Sequence, residues 1–64
     1  MGRERVIAKG KGYKITLREF SMLNGTMVRT YAVYDSRGIP QESGISRLSD
    51  AKMIAKKVAK GNYN

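Results

Sequence analysis

The fold is decided by residues 13–34, which read YKITLREFSMLNGTMVRTYAVY. Apolar and polar side chains alternate over 13–20, and a period of two is typical of a half-buried β-strand. Asn24 and Gly25 follow, a dipeptide that is the strongest short-range indicator of a β-hairpin. The returning stretch, 26–34, is rich in Val, Thr and Tyr, which favour strands. These residues therefore predict a hairpin of two antiparallel strands.

Shorter elements are predicted on either side of the hairpin. Residues 1–11 form either a short strand or a flexible arm, and the glycines within 10–12 favour a turn. Asp-Ser-Arg-Gly at 35–38 is typical of a type I turn. Residues 39–45 then predict a third strand at an edge of the sheet, because Pro40 is tolerated only at a strand start or on an edge.

The C-terminal third predicts a helix over 49–60. Ser49 is suited to the N-cap, and Gly61 to the left-handed position that ends a helix. Leu48 and Met53 are spaced for a hydrophobic staple around the cap. Apolar residues recur at the spacing of one buried stripe, namely Ala51, Ile54, Ala55, Val58 and Ala59. Lysines line the opposite side of this helix at Lys52, Lys56 and Lys60.

Together these elements predict an α+β fold. It is a three-stranded antiparallel sheet over 13–45 packed on one C-terminal α-helix, in the order β-β-β-α. We expect one small domain over 1–64, since a chain of this length buries only one small core. The sequence holds no cysteine and no histidine, which removes disulfides and the commonest metal ligands. We therefore expect no metal and no cofactor.

The register of the hairpin determines which side chains share a face, because directly opposed residues lie on the same side of a sheet. A two-residue turn at Asn24 and Gly25 places Arg18 opposite Tyr31. One face then packs on the helix and holds Tyr13, Ile15, Leu17, Val28, Ala32 and Tyr34. The exposed face is basic with aromatic residues between the charges, and it holds Lys14, Thr16, Arg18, Phe20, Arg29, Tyr31 and Val33. A shift of one residue would exchange the faces.

Charge is the strongest indication of function. Thirteen Lys and Arg stand against five Asp and Glu, giving a formal net charge of +8 and a pI near 10.2. A pI above about 9 is the usual mark of a nucleic-acid-binding domain. Charge alone leaves open an anionic membrane, an acidic protein partner or simple solubility. No apolar run is long enough to span a membrane, and no apolar segment follows the basic N-terminus as in a signal peptide. We expect a cytoplasmic protein with no membrane partner.

The sequence thus predicts non-catalytic nucleic-acid binding, with duplex DNA favoured over RNA. The expected contact residues are those of the exposed face and two neighbouring turns, namely Lys14, Thr16, Arg18, Phe20, Arg29, Tyr31, Lys11 and Arg37. Of these, the two arginines of the face can form bidentate contacts with guanine or clamp phosphate. We expect no enzyme, because the carboxylates are scattered and no histidine is present to activate a hydroxyl. The alternative is a small inhibitor or adaptor that binds an acidic protein surface through Phe20, Tyr31 and Val33.

Two short motifs resemble a known family. Residues 31–38, YAVYDSRG, resemble an aromatic strand followed by an Asp-x-x-Gly turn, and residues 48–51, LSDA, resemble a helix-cap motif. Both are similar to the N-terminal arm-binding domain of phage and transposon tyrosine recombinases. The resemblance implies a protein of a phage or mobile element that inserts a three-stranded sheet into the major groove. The family's third strand is usually rich in Lys and Arg, whereas residues 41–43 read QES. No recombinase catalytic domain follows, so this would be a free-standing protein or a fragment.

A second resemblance concerns the helix alone. Residues 49–52 and 55–57, SDAK and AKK, are similar to the last helix of double-stranded RNA-binding domains. Those domains carry an additional N-terminal helix, and no helical pattern precedes the strands here. A double-stranded RNA-binding module is therefore a further alternative.

Overall fold

The computed structural model describes residues 2–61 and contains an antiparallel sheet followed by one helix. The elements are β1 (Arg3–Gly10), β2 (Tyr13–Ser21), β3 (Met27–Asp35), β4 (Pro40–Ile45) and α1 (Leu48–Ala59). The four strands lie in the order β1-β2-β3-β4. The α+β class, the antiparallel sheet and the C-terminal helix are confirmed, but the prediction of three strands is wrong. Met1 and residues 62–64 of the predicted domain lie outside the described residues.

The additional strand is β1, which the sequence left as a strand or an arm. It pairs with β2 from Arg3, opposite Glu19, to Gly10, opposite Tyr13. The pairing shifts between Val6 and Ala8, so the intervening residue is a β-bulge. A bulge interrupts the alternation of side chains, which explains why the period of two does not reveal this strand.

The turn between β2 and β3 differs from the expected one by a single residue. The Gly25 N–H donates to the Met22 carbonyl at 3.0 Å, and the Met22 N–H donates to the Thr26 carbonyl at 2.8 Å. Gly25 has a φ of +85°, whereas no residue other than glycine has a positive φ within 2–61. A two-residue type I′ turn requires positive φ at both central residues, so Asn24 excludes it. The loop has three residues, 23–25, and ends on a left-handed glycine.

The longer loop shifts the pairing of β2 with β3 by one position. Arg18 stands opposite Thr30 rather than Tyr31, and Phe20 stands opposite Val28 rather than Arg29. Side chains alternate across a strand, so the shift exchanges the two faces of β3 while those of β2 stay as predicted.

The predicted turn at 35–38 is confirmed. The Gly38 N–H donates to the Asp35 carbonyl at 3.0 Å, and Gly38 has a φ of +81°. The Asp35 carboxylate also accepts hydrogen bonds from the N–H groups of Arg37 and Ile39, at 2.9 and 3.0 Å. Pro40 then begins β4 at the edge of the sheet, where a missing N–H is tolerated.

Helix α1 begins at Leu48, with Arg47 in the N-cap position, so the prediction of Ser49 as the cap is wrong. Leu48 packs against the core as the first helical residue, and Met53 is exposed, so the two do not form a staple. Burial of Leu48 gives a physical reason for the earlier start. Gly61 follows the helix with a φ of +75°, as predicted.

The core lies between α1 and the sheet. It is a cluster of six buried side chains, Ile15, Val33, Ile45, Ala51, Ala55 and Val58. The predicted helical stripe is fully buried at three positions, Ile54 packs half-buried against the same cluster, and Ala59 is exposed. The helix packs against β2, β3 and β4. No helix within 2–61 is long and apolar enough to cross a membrane.

Candidate nucleic-acid interface

The sheet has two faces, and α1 covers only one of them. The helix face holds Ile15 and Val33, which pack on the helix. The open face holds the residues of alternate position in β1, β2 and β3, as their pairing requires. Its members are Glu4, Val6, Lys9, Lys14, Thr16, Arg18, Phe20, Val28, Thr30, Ala32 and Tyr34.

Two of the predicted contact residues lie on the helix face of the sheet instead of the open face. Lys14, Thr16, Arg18 and Phe20 lie on the open face as predicted, because β2 fixes its own alternation. Arg29 and Tyr31, in contrast, lie on the helix face, because the three-residue loop shifts β3 by one position.

The shift also places Phe20, Tyr31 and Val33, the apolar residues expected to bind an acidic protein partner, on different faces of the sheet. Val33 is fully buried on the helix face, and Tyr31 is half-buried against the core. Phe20 lies on the opposite side of the sheet. The three side chains therefore form no common patch.

Arg29 instead forms part of an ion-pair group on the helix face. Its Nε lies 3.2 Å from Oε2 of Glu19, and Arg5 approaches Oε1 of the same carboxylate at 3.9 Å. The side chain of Arg29 is 69% exposed, so this pair lies where solvent screens it.

Tyr34 takes the place on the open face that the sequence assigned to Tyr31. The Nζ of Lys14 lies 4.8 Å from the centre of its ring, within the range of a cation–π contact. Residues 31–34 read Tyr-Ala-Val-Tyr, so each register puts one tyrosine and one small apolar residue on either face. Tyr34 would have been identified by assuming a three-residue loop, because that loop length places Tyr34 on the open face. Asn-Gly is compatible with such a loop, which ends on a left-handed glycine.

Glu4 joins the centre of the open face into one hydrogen-bonded cluster. Its Oε2 accepts from the hydroxyls of Thr16 and Tyr34, each at 2.8 Å, and from Nε of Arg18 at 3.3 Å. We call these four residues the Glu4 cluster. Thr16 is only 4% exposed and its hydroxyl donates to Glu4, so it lies beneath the surface of the open face.

The hydrogen bonds of the cluster favour the ionised form of Glu4. The hydroxyl of Tyr34 contributes most, followed by that of Thr16 and by Arg18, and together they hold the pKa of Glu4 below its ordinary value of 4.5. Glu4 is therefore a carboxylate at neutral pH, and it neutralises Arg18 locally.

This depressed pKa predicts an acid-sensitive sheet. Stabilisation by ionised Glu4 is fully present above its unfolded pKa and is lost as the pH falls through the lower folded pKa. Between pH 6 and pH 3, wild type should therefore lose more stability than Glu4→Gln, which cannot titrate. Urea midpoints of both proteins at the two pH values measure the difference. Equal losses would mean that Glu4 is not held by these donors.

The other end of the open face is basic. Lys9 stands directly opposite Lys14, and like charges in directly opposed positions destabilise a sheet. Both line a cleft of about 420 Å³ between the β1–β2 and β3–β4 turns, and Arg37 lines its far side. Lys11 lies exposed in the first of these turns.

Asp35 is the one acidic residue among those that line this cleft, and its carboxylate accepts hydrogen bonds from backbone N–H groups of its own turn. The N–H of Ile39 contributes most to lowering the pKa of Asp35 below its ordinary 3.8, and the N–H and guanidinium of Arg37 lower it further. Asp35 thus holds the β3–β4 turn in place. We call the three cations that line the cleft, Lys9, Lys14 and Arg37, together with Lys11 of the adjacent turn, the basic end.

No family model, curated protein or solved structure matches the chain.

Proposed function

We propose that this chain is a non-catalytic nucleic-acid-binding protein that binds duplex DNA through the open face of its sheet. The observation that carries the proposal is the cross-strand pair of Lys9 and Lys14 at the edge of the cleft. Two lysines in opposed positions concentrate positive charge at this end of the sheet in the free protein, and a phosphate bound there offsets it. A formal charge of +8 makes a polyanion the partner that stabilises the whole domain most.

The cations of the face have different tasks in this proposal. The basic end contacts phosphates and sets the position of the sheet along the duplex, since phosphate contacts position a protein without reading sequence. Arg18 lies nearer the middle of the face, and its side chain is 46% exposed. Its guanidinium can form a bidentate contact with guanine in the major groove once it leaves Glu4.

Duplex DNA is favoured over single strands because little aromatic surface is free for stacking. Lys14 covers the ring of Tyr34, and the hydroxyl of that tyrosine is bonded to Glu4. Phe20 is the other aromatic side chain of the open face. Duplex DNA is favoured over duplex RNA because the DNA major groove, about 12 Å wide, admits a β-ribbon. The A-form major groove of RNA is too narrow for side chains to read.

A salt titration tests the proposal. Binding to duplex DNA, duplex RNA and single strands is measured by fluorescence anisotropy at low and high salt. If the four cations of the basic end and Arg18 each contact one phosphate, the logarithm of the binding constant for duplex DNA should fall with the logarithm of salt concentration at a slope of about −4 to −5. Binding should then be roughly 300- to 1,000-fold weaker at 200 mM salt than at 50 mM. Tighter binding to RNA or single strands would refute the DNA assignment, and no binding at low salt would refute the function.

The Glu4 cluster predicts a gain of affinity. Glu4→Gln removes the one carboxylate of the cluster and frees Arg18, so duplex binding should tighten roughly fivefold, the effect of one charge about 4 Å away in water. Glu19→Gln is the matched control, because Glu19 pairs with an arginine at a similar distance on the helix face. Anisotropy titrations of both variants should show the larger gain for Glu4→Gln. Equal gains would place the DNA elsewhere.

A further inference from the structure

The tip of the β2–β3 hairpin is apolar in a chain that is otherwise highly charged. Residues 20–28 read FSMLNGTMV and contain no charged side chain. Four of their large apolar side chains are exposed to solvent, namely Phe20, Met22, Leu23 and Met27. Leu23, at the end of the loop, is fully exposed. Exposed apolar surface gains about 25 cal/mol per Å² when a partner covers it.

The tip is also the narrowest part of the sheet. The pairing of β1 with β2 ends at Arg3, opposite Glu19, and the pairing of β4 with β3 ends at Ile45, opposite Tyr31. Beyond these positions only β2 and β3 continue among residues 2–61, so the tip is a two-stranded ribbon there. The major groove of duplex DNA, about 12 Å wide, admits a two-stranded β-ribbon, so this tip can approach the floor of the groove.

The loop at the tip is held in one shape before any partner binds. Besides its two backbone hydrogen bonds, the N–H of Thr26 donates to Oδ1 of Asn24 at 3.0 Å. Gly25 adopts the positive φ that the loop needs. The backbone at Leu23 is therefore presented in a fixed position, and little backbone conformational entropy is lost when the side chain inserts.

Arginines stand directly behind the apolar tip. Arg18 lies on the open face, and Arg29 lies on the helix face. A partner that fits this order has an apolar interior beside anionic groups, which is the arrangement of stacked base pairs between two phosphate backbones. An anionic membrane shares these features, but a hairpin tip with four apolar side chains buries far less apolar area than an amphipathic helix lying in a bilayer.

We propose that the hairpin tip is a wedge, in which Leu23 inserts between two base pairs of the bound duplex and bends it. This inference rests on the proposed function and adds a mechanism to it. In proteins that bind the minor groove, apolar side chains inserted at a base step unstack it partially and kink the duplex by about 20–90°, and we expect a kink of this kind from Leu23 in the groove that the open face occupies. Flexible pyrimidine–purine steps yield most readily, so the wedge gives a preference for TA and CA steps without a hydrogen bond to a base.

Energy transfer between dyes on the two ends of a duplex of roughly 20–30 bp tests the wedge, since bending a site of that length brings its ends together. Wild type should raise the transfer efficiency at saturation. Leu23→Ser should still bind, within a few-fold of wild type, but leave the duplex straight. Because Leu23 is fully exposed, this variant folds normally. Met53→Ser, an exposed apolar residue of α1, is the matched control and should bend the duplex as wild type does.

The outcomes separate the wedge from the proposed function. Binding without bending by wild type, or equal bending by Leu23→Ser, overturns the wedge and leaves nucleic-acid binding intact. No binding of wild type to the duplex at low salt overturns both. Sedimentation with vesicles of phosphatidylglycerol and phosphatidylcholine tests the membrane alternative. If wild type binds the vesicles and Leu23→Ser does not, the tip is assigned to a membrane and the wedge is overturned.

Discussion

Replacing Ile15 with alanine should cost about 2–5 kcal/mol, the usual range for removing a large aliphatic side chain from a core. Ile15 is 1% exposed and packs between the sheet and α1. A 64-residue domain has a total free energy of unfolding on the order of 3–10 kcal/mol. Urea unfolding followed by circular dichroism should therefore show Ile15→Ala near or past the limit of folding.

Two further variants keep this prediction measurable. Ile15→Val removes one methylene and should cost about 0.5–1.5 kcal/mol while the protein still folds. Ile39→Ala changes an isoleucine that is 46% exposed, and it should stay within about 0.5 kcal/mol of wild type. A cost for Ile15→Ala no larger than that for Ile39→Ala would mean that the helix does not pack on this face.

Arg18→Ala should weaken duplex binding by roughly five- to 150-fold where the arginine reads a base, and lower the salt slope by about one where it contacts phosphate. Arg29→Ala is the matched control. Both arginines are exposed, both contact a glutamate through Nε, and both variants remove one positive charge. They differ in the face of the sheet on which they lie. Anisotropy titrations at two salt concentrations measure both effects.

The contrast between these variants separates the open face from attraction by overall charge. Lys56→Ala, on the exposed side of α1, adds a third position with the same change in charge. Equal weakening by all three variants would leave only unspecific electrostatics. A larger loss for Arg29→Ala would place the nucleic acid on the helix face.

The sequence predicts most of the elements because their signals are local. The alternation over 13–20, the Asp-Ser-Arg-Gly turn and the apolar spacing of α1 each act within a few residues. Strand β1 depends on partners far away in the chain, since Glu4 bonds to Thr16 and Tyr34. Its local pattern is broken by the bulge between Val6 and Ala8. A local pattern does not reveal a strand that forms through such distant contacts.

The candidate site was predictable for β2 and not for β3. Polar and apolar residues alternate in β2, so its exposed side was clear. In β3 the run Tyr31-Ala32-Val33-Tyr34 presents one tyrosine and one small apolar residue to each face in either register, so its pattern does not choose between them and the loop does. One residue of loop length therefore moved Arg29 to the helix face and brought Tyr34 to the Glu4 cluster. The N-cap was also mispredicted, because the helix begins one residue earlier, at Leu48, which packs partly buried against the core.

NMR mapping of the contact surface shows whether the duplex binds the open face of the sheet. A ¹⁵N-labelled sample is titrated with a short DNA duplex at low salt, and the shift of each backbone amide is followed. The open-face account predicts the largest shifts at Lys9, Lys14, Arg18 and Tyr34, with small shifts along α1. Largest shifts at Lys52, Lys56 and the other helix lysines, or no shifts at all, would contradict it.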